Sequence, residues 1–263
     1  MSRRPSPGRR RPFAVLVLVA LVTAGVLTGA PAAQGAATHR PVIVLDPGHS
    51  RTVYAVDERT GLVVSDYENE PEMRDVFAVA KLVAARLRHD GYRVVLTKTR
   101  LHQRRTLAQR AAVANRVHAA LALSIHDQAG RSGGVGFRAG NNIVYYQSVG
   151  AYRSTPSGRH VVFRDKAVAK RSKTYARIFA RQRHAVQRAT VTSRRNVGYD
   201  LGSRGLAGGN MWMVQLLSRV PWIYNEAGGN SRGRVGLTAA DRRTYAQALV
   251  RSVEACVPVP HRT

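Results

Sequence analysis

Four side chains in this sequence have types and positions that could do hydrolytic chemistry together. His49 follows the apolar run "PVIVLD", His126 follows "ALALSI", and Glu226 follows "WIYN". Each therefore sits just beyond the carboxyl end of a predicted strand, where open α/β sheets bind their ligands. Glu72 opens the helix that follows the first of these strands and can lean over the same edge. Two imidazoles and one carboxylate are a three-ligand set for catalytic zinc, with a fourth position left for water. The remaining carboxylate is then free to act as general base on that water. None of these spacings is local, so convergence depends wholly on the elements that carry the residues.

Those elements alternate. Pro41 to Asp46 is a continuous apolar run closed by Pro47-Gly48, as expected of a strand covered on both faces. From Glu72, the residues Met73, Val76, Phe77, Ala80, Val83, Ala84 and Leu87 recur at helical spacing until Gly91. Tyr92 to Thr97 reads as the next strand, Thr106 to His118 as a helix, and Ala120 to Ile125 as a third strand. Asn141 to Tyr146 is a further strand, and Lys170 to Ala189 an Arg-studded amphipathic helix with Tyr175, Ile178, Phe179 and Val186 inward. Val220 to Asn225 is a late strand. Thr238 with Asp241 forms a capping box that opens a last helix, running to about Ala255. Gly150 to Gly158 reads as a long surface loop. The βαβαβ order predicts an α/β fold with a single open, mainly parallel sheet flanked by helices, and the site at the carboxyl ends of its strands.

Composition narrows the setting. The chain has 263 residues, 44% hydrophobic, enough for a sizeable core and incompatible with wholesale disorder. A single cysteine, Cys256, excludes a disulfide-stapled toxin and a cysteine-based zinc finger. Arg3, Arg4, Arg9, Arg10 and Arg11 precede the uncharged run Phe13 to Ala30, and "GAPAAQGAA" follows. That order is a signal peptide's, so residues 1–36 are read as one, with a retained N-terminal anchor as the alternative, and 37–263 as the catalytic domain. The Arg-Arg pairs leave the twin-arginine route open. The formal net charge is +27. Export directs such a charge towards anionic cell-wall polymers; no nucleic acid is expected, and no stable membrane insertion once the signal is cleaved.

The motifs around the four residues resemble the zinc-dependent N-acetylmuramoyl-L-alanine amidases of the Amidase_3 type. "VIVLDPGHS" is similar to that family's opening motif. "EMRDVFAVAKLVAARLRHDGYRVVLTKTR" resembles its ligand-bearing helix, glycine and following strand, "QRAAVANRVHAALALSIH" its second histidine segment, and "VPWIYNEAGGN" its catalytic strand. The resemblance spans roughly Pro41 to Ala255. It implies His49, Glu72 and His126 as ligands of one Zn²⁺ and Glu226 as catalytic acid/base. It also implies peptidoglycan as substrate, cut between the muramic acid lactyl group and L-alanine. Glu58, Asp66, Glu68 and Glu70 compete with Glu72, Glu70 most closely. Counting back from Gly91 favours Glu72, which also suits a helix N-terminus.

The sequence departs from the family at Ser50-Arg51, at Asp127-Gln128, at Ala227-Gly228-Gly229-Asn230, and at Thr97-Lys98 in place of Thr-Arg. These departures keep open an exported zinc hydrolase with another substrate; retention of His49, Glu72, His126 and Glu226 argues against the third reading, a non-catalytic cationic wall-binding protein. Asp127 is expected in a solvated loop, with the orienting of an imidazole as the alternative, and Arg110 on a helix surface or holding a carboxylate or glycan oxygen. Arg204 has the same two readings, Trp222 is expected in the core, and Trp212 is open. His89, His102, His118, His160 and His184 read as surface residues.

Overall fold

The computed structural model describes residues 40–127, 142–195, 211–228 and 236–260, all within one unit, Thr38–Thr263. The leader segment, Arg204, Gln128 and Gly229-Asn230 lie outside the described residues.

The elements run β1 Val42–Pro47, α1 Glu70–His89, β2 Arg93–Leu96, α2 Leu107–Arg116, β3 Leu121–Asp127, β4 Asn142–Tyr146, β5 Tyr152–Ser154 and β6 His160–Val162. They continue with α3 Lys166–Gln187, β7 Val191–Arg195, α4 Met213–Leu217, β8 Trp222–Ala227 and α5 Ala239–Cys256. Six strands form one sheet in the order β2-β1-β3-β8-β4-β7. β2, β1, β3 and β8 are mutually parallel, while β4 lies antiparallel to β8 and pairs in parallel with β7. The expected open, mainly parallel α/β sheet is thus present, with a reversed pair of strands at one side.

Alternation along the strands places the two cores. Ile43, Leu45, Leu121, Leu123 and Ile223 pack with α1, α3 and α5 on one face, through Val76, Val83, Phe179, Tyr245 and Leu249. Val44, Ala122, Trp222 and Tyr224 face the other way, against Ala111 and Ala114 of α2 and Val214 of α4. Helices on both faces explain why β1 and β3 are buried along nearly their whole length and read as unbroken apolar runs.

Several boundaries differ from the expectation. α1 begins at Glu70 rather than Glu72, because Pro71 occupies the first helical turn, where its missing N–H costs nothing. α3 begins at Lys166, capped by Asp165, whose Oδ1 accepts the Val168 N–H at 2.9 Å. Its inner stripe is Val168, Ser172, Ala176, Phe179, Arg183 and Gln187, so of the four residues expected inward only Phe179 is fully buried. The predicted loop Gly150 to Gly158 contains β5, paired with β6 in a small hairpin. β7 and α4 complete the list of elements without a sequence counterpart.

Candidate metal centre

His49 stands two residues past β1 with a left-handed backbone, φ +53°. That conformation is uncommon for a residue with a side chain and marks a position held by its surroundings. The hold is visible. The buried Lys98 ammonium donates to the carbonyls of both Gly48 and His49, the first at 3.0 Å, and Gly48 N–H donates to Ile125 O at 2.9 Å. Gly48 also lies so close to the His126 ring that a Cβ there would fall 2.5 Å from it. Only glycine lets β1 and the second imidazole approach this closely.

Glu72, in the first turn of α1, joins the two histidines. Its Oε2 lies 2.8 Å from His49 Nε2 and its Oε1 2.8 Å from His126 Nδ1. The carboxylate is steadied by Asn69 Nδ2 at 2.7 Å and by the Asp127 N–H at 3.2 Å. The three donor atoms lie within 4.8 Å of one another, and all three residues are buried. Glu70 points elsewhere, to Arg74 at 2.7 Å, and Asp66 pairs with Arg110. Glu58 and Glu68 are exposed. Of the competing carboxylates, Glu72 is the one that meets both imidazoles.

Electrostatics of the trio suit a cation. Burial by itself would lift the Glu72 pKa, but the two imidazoles outweigh it and hold the carboxyl far below its ordinary value. Burial pulls His126 below 6.5 despite Glu72. His49, whose burial acts in the same direction, is instead raised because the Glu72 carboxylate prevails. An ionised carboxylate beside imidazoles is the donor set that zinc takes. His49 turns its other ring nitrogen, Nδ1, to the Tyr67 carbonyl at 3.2 Å, the outer contact that orients a ligating histidine. The His126 ring stacks on Tyr224 at 4.4 Å, which in turn stacks on Trp212 at 4.7 Å.

Glu226 lies opposite His126 in the β3–β8 register, so both side chains leave the sheet on the same face. It is half-buried. Its carbonyl accepts from Arg183 Nη2 at 2.8 Å, and its charge is the largest contributor, after burial, to the strongly raised pKa of Tyr224.

Beneath the trio is a charge network that sequence reasoning largely missed. Arg110 is buried in α2 rather than on its surface, and donates to Asp46 Oδ1 at 3.2 Å and to Asp66 Oδ2 at 2.6 Å. Asp46 also accepts from Thr97 Oγ1 at 2.6 Å and Ser124 Oγ at 2.8 Å. Asp66 accepts from Ser50 Oγ at 3.1 Å. Lys98 completes the network, with burial and then Arg110 driving its pKa down to about 7. Asp127, expected in a solvated loop, is instead buried at the end of β3. Trp222 is in the core, and its Nε1 donates to Ser124 at 2.9 Å. His89, His118, His160 and His184 are exposed as expected. His102, also exposed, lies 3.5 Å from Glu70.

The chain can now be set beside known proteins. No curated protein sequence matches it. Its fold is similar to that of Ami1, the N-acetylmuramyl-L-alanine amidase of Mycobacterium abscessus, with 17% identity and a TM-score of 0.59 over 82% of this chain and 98% of that one. The Mycobacterium smegmatis Ami1 gives 19% and 0.55, over 82% and 96%. The catalytic domain of CwlV, an amidase of Bacillus (Paenibacillus) polymyxa var. colistinus, gives 19% and 0.54, over 84% and 99%. At such identities the likeness speaks for the fold. The family model for N-acetylmuramoyl-L-alanine amidase, Amidase_3, matches residues 43–255, a span that includes β1, both histidines, Glu72 and Glu226, and the chain belongs to that family.

Proposed function

We propose that this protein is an exported, zinc-dependent N-acetylmuramoyl-L-alanine amidase that cuts peptidoglycan between the muramic acid lactyl group and L-alanine. The observation that carries the reading is the buried triangle of His49 Nε2, Glu72 carboxylate and His126 Nδ1 at the strand ends of a family member. These three residues would hold one zinc ion. Bound there, zinc supplies Lewis-acid chemistry, acidifying water and polarising the scissile carbonyl.

The rest falls to the chain. Tyr67, Asn69 and the Asp127 N–H keep His49 and Glu72 from rotating out of the triangle. Tyr224 keeps the His126 ring flat against β8. Glu226, on the same face of the adjacent strand, takes the proton of the attacking water and returns it to the departing α-amine of L-alanine. Residues 1–36 act as the export signal, and cell-wall degradation or remodelling outside the membrane is the setting. Among the described residues no helix is long and apolar enough to cross a membrane.

The test is hydrolysis of defined muropeptides, read by mass spectrometry. Free stem peptide beginning at L-alanine is expected, lost on chelation and restored by zinc. Glu226→Gln is expected to keep its zinc and lose about 10²–10⁴-fold in rate. Zinc-loaded protein that leaves the lactyl amide intact would refute the substrate, and near-wild-type turnover by the variant would remove Glu226 from the mechanism.

A further inference from the structure

The outer face of α3 carries a straight line of unneutralised charge. Lys166, Lys170, Lys173, Arg177 and Arg181 recur four, three, four and four residues apart, and all are exposed. At 100° per residue these positions fall within one narrow stripe, with neighbouring charges about 4.5–6 Å apart along the axis and the line about 22 Å long. Among the described residues no ion pair engages any of them, and the one acid at this helix, Asp165, is committed to capping it.

Such a helix gives up stability. Lysines in the first turns oppose the helix dipole, and like charges four residues apart repel. The helix is held regardless, by Ala176 and Phe179 packed with sheet residues and by Val168 in a separate cluster with Phe163, Met213 and Leu216. Its placement is also directional. Ser172 Oγ reaches Trp222 O at 3.3 Å, and Arg183 Nη2 reaches Glu226 O at 2.8 Å. α3 therefore runs alongside β8 in the same sense, and the charged line leads towards the strand ends that carry His126 and Glu226.

We infer that the α3 stripe is a docking track for a linear phosphodiester polyanion, which it holds next to the metal centre. A charge per helical turn suits a flexible chain that presents one phosphate per short repeat, and ammonium groups bind phosphate as point charges without fixed geometry. A lipid surface fits less well. A helix lying in a membrane interface needs an apolar face towards the lipid, whereas the apolar residues of α3 are turned into the core and its exposed residues are Lys, Arg, His, Ala and Thr. The proposed wall setting says only where such a polymer would be met; the docking itself involves no hydrolysis.

The experiment measures binding of the full chain to soluble poly(glycerol phosphate) across a salt series. The stripe variant changes Lys170, Lys173, Arg177 and Arg181 to Gln. A control variant with the same net charge changes the exposed Arg93, Arg104, Arg116 and Arg219 to Gln. The stripe variant is expected to lower the slope of log affinity against log salt by about 3, since each phosphate contact adds about 0.7 for a single strand. Affinity at low salt should fall by at least tenfold, the control should stay near wild type, and thermal melting shows that both variants fold. Equal losses in the two variants would reduce the effect to net charge and overturn the track. So would absence of binding by the wild type, or tighter binding to anionic phospholipid vesicles than to the polymer. None of these outcomes depends on amidase activity, so failure of the track and failure of the functional proposal are separable.

Discussion

α1 and α3 are similar in length and pack on the same face of the sheet, yet they handle charge in opposite ways. α1 opens on Glu70 and Glu72 and closes on Arg86, Arg88 and His89, the order the helix dipole favours. Two of its exposed arginines are paired along the helix, Arg74 with Glu70 and Arg86 with Asp90, both at 2.7 Å. α3 has no acid in its first turn and no pair along its outer face. The contrast separates two uses of charge. At the metal centre the charges are partnered, because the carboxylate of Glu72 must be held ionised and immobile between two imidazoles. The charge of α3 is left open to solvent, where it is available to something outside the chain.

The largest effects should come from breaking compensation at the site. Glu72→Gln keeps the size of the side chain but removes the charge that both histidines face. It is expected to lower zinc affinity by at least ~100-fold, the upper end of what loss of an outer contact costs, and to abolish hydrolysis. Metal content after gel filtration and activity on muropeptides check this together. Retained zinc with lost activity would place Glu72 outside the ligand set. Next in size is Arg110→Ala. It strands Asp46 and Asp66 in a buried site where the guanidinium serves both, and removal of one partner from such a network costs ~3–5 kcal/mol. Denaturant unfolding should show that loss as a shifted midpoint. A change below about 1 kcal/mol would mean that Lys98 alone can neutralise the pair.

How much of this was legible beforehand follows the same division. β1, β3 and β8 are buried on both faces, so their apolar runs were unambiguous, and the residues that follow those runs could be nominated for the site, although His126 and Glu226 fall in the last pairings within β3 and β8 rather than beyond them. Glu72 was reachable by counting back from Gly91. The start of α1 was misplaced because the apolar period begins only at Met73, although Pro71 carried the missing signal. β7, "VTSRR", has no apolar run and takes its structure from pairing with β4. β5 and β6 hide in a stretch of turn-forming residues. The charge network was invisible for a deeper reason. Asp46, Asp66, Lys98 and Arg110 are polar residues whose burial is made tolerable only by one another, and their separation in sequence conceals the pairing. Arg110 accordingly read either as a surface charge of α2 or as holding a carboxylate, and the structure bears out the second. Asp127 was misread similarly, since β3 extends two residues beyond its apolar run.

The smallest effect is the sharpest probe of α3. Lys166 is the first residue of the helix, where a cation faces the positive end of the dipole. Lys166→Glu replaces an unfavourable charge with a favourable one and sets an acid four residues before Lys170, in the better orientation for an i, i+4 pair. The folded protein is expected to gain ~0.3–1 kcal/mol, seen as a rise of ~1–4 °C in melting temperature for a domain of this size. Binding to poly(glycerol phosphate) should weaken in the same variant. Opposite signs for stability and binding are what a face kept cationic for a partner requires. A variant that melts lower would mean that Lys166 already has a stabilising role in the fold, and the contrast with α1 would then rest on the remaining four charges.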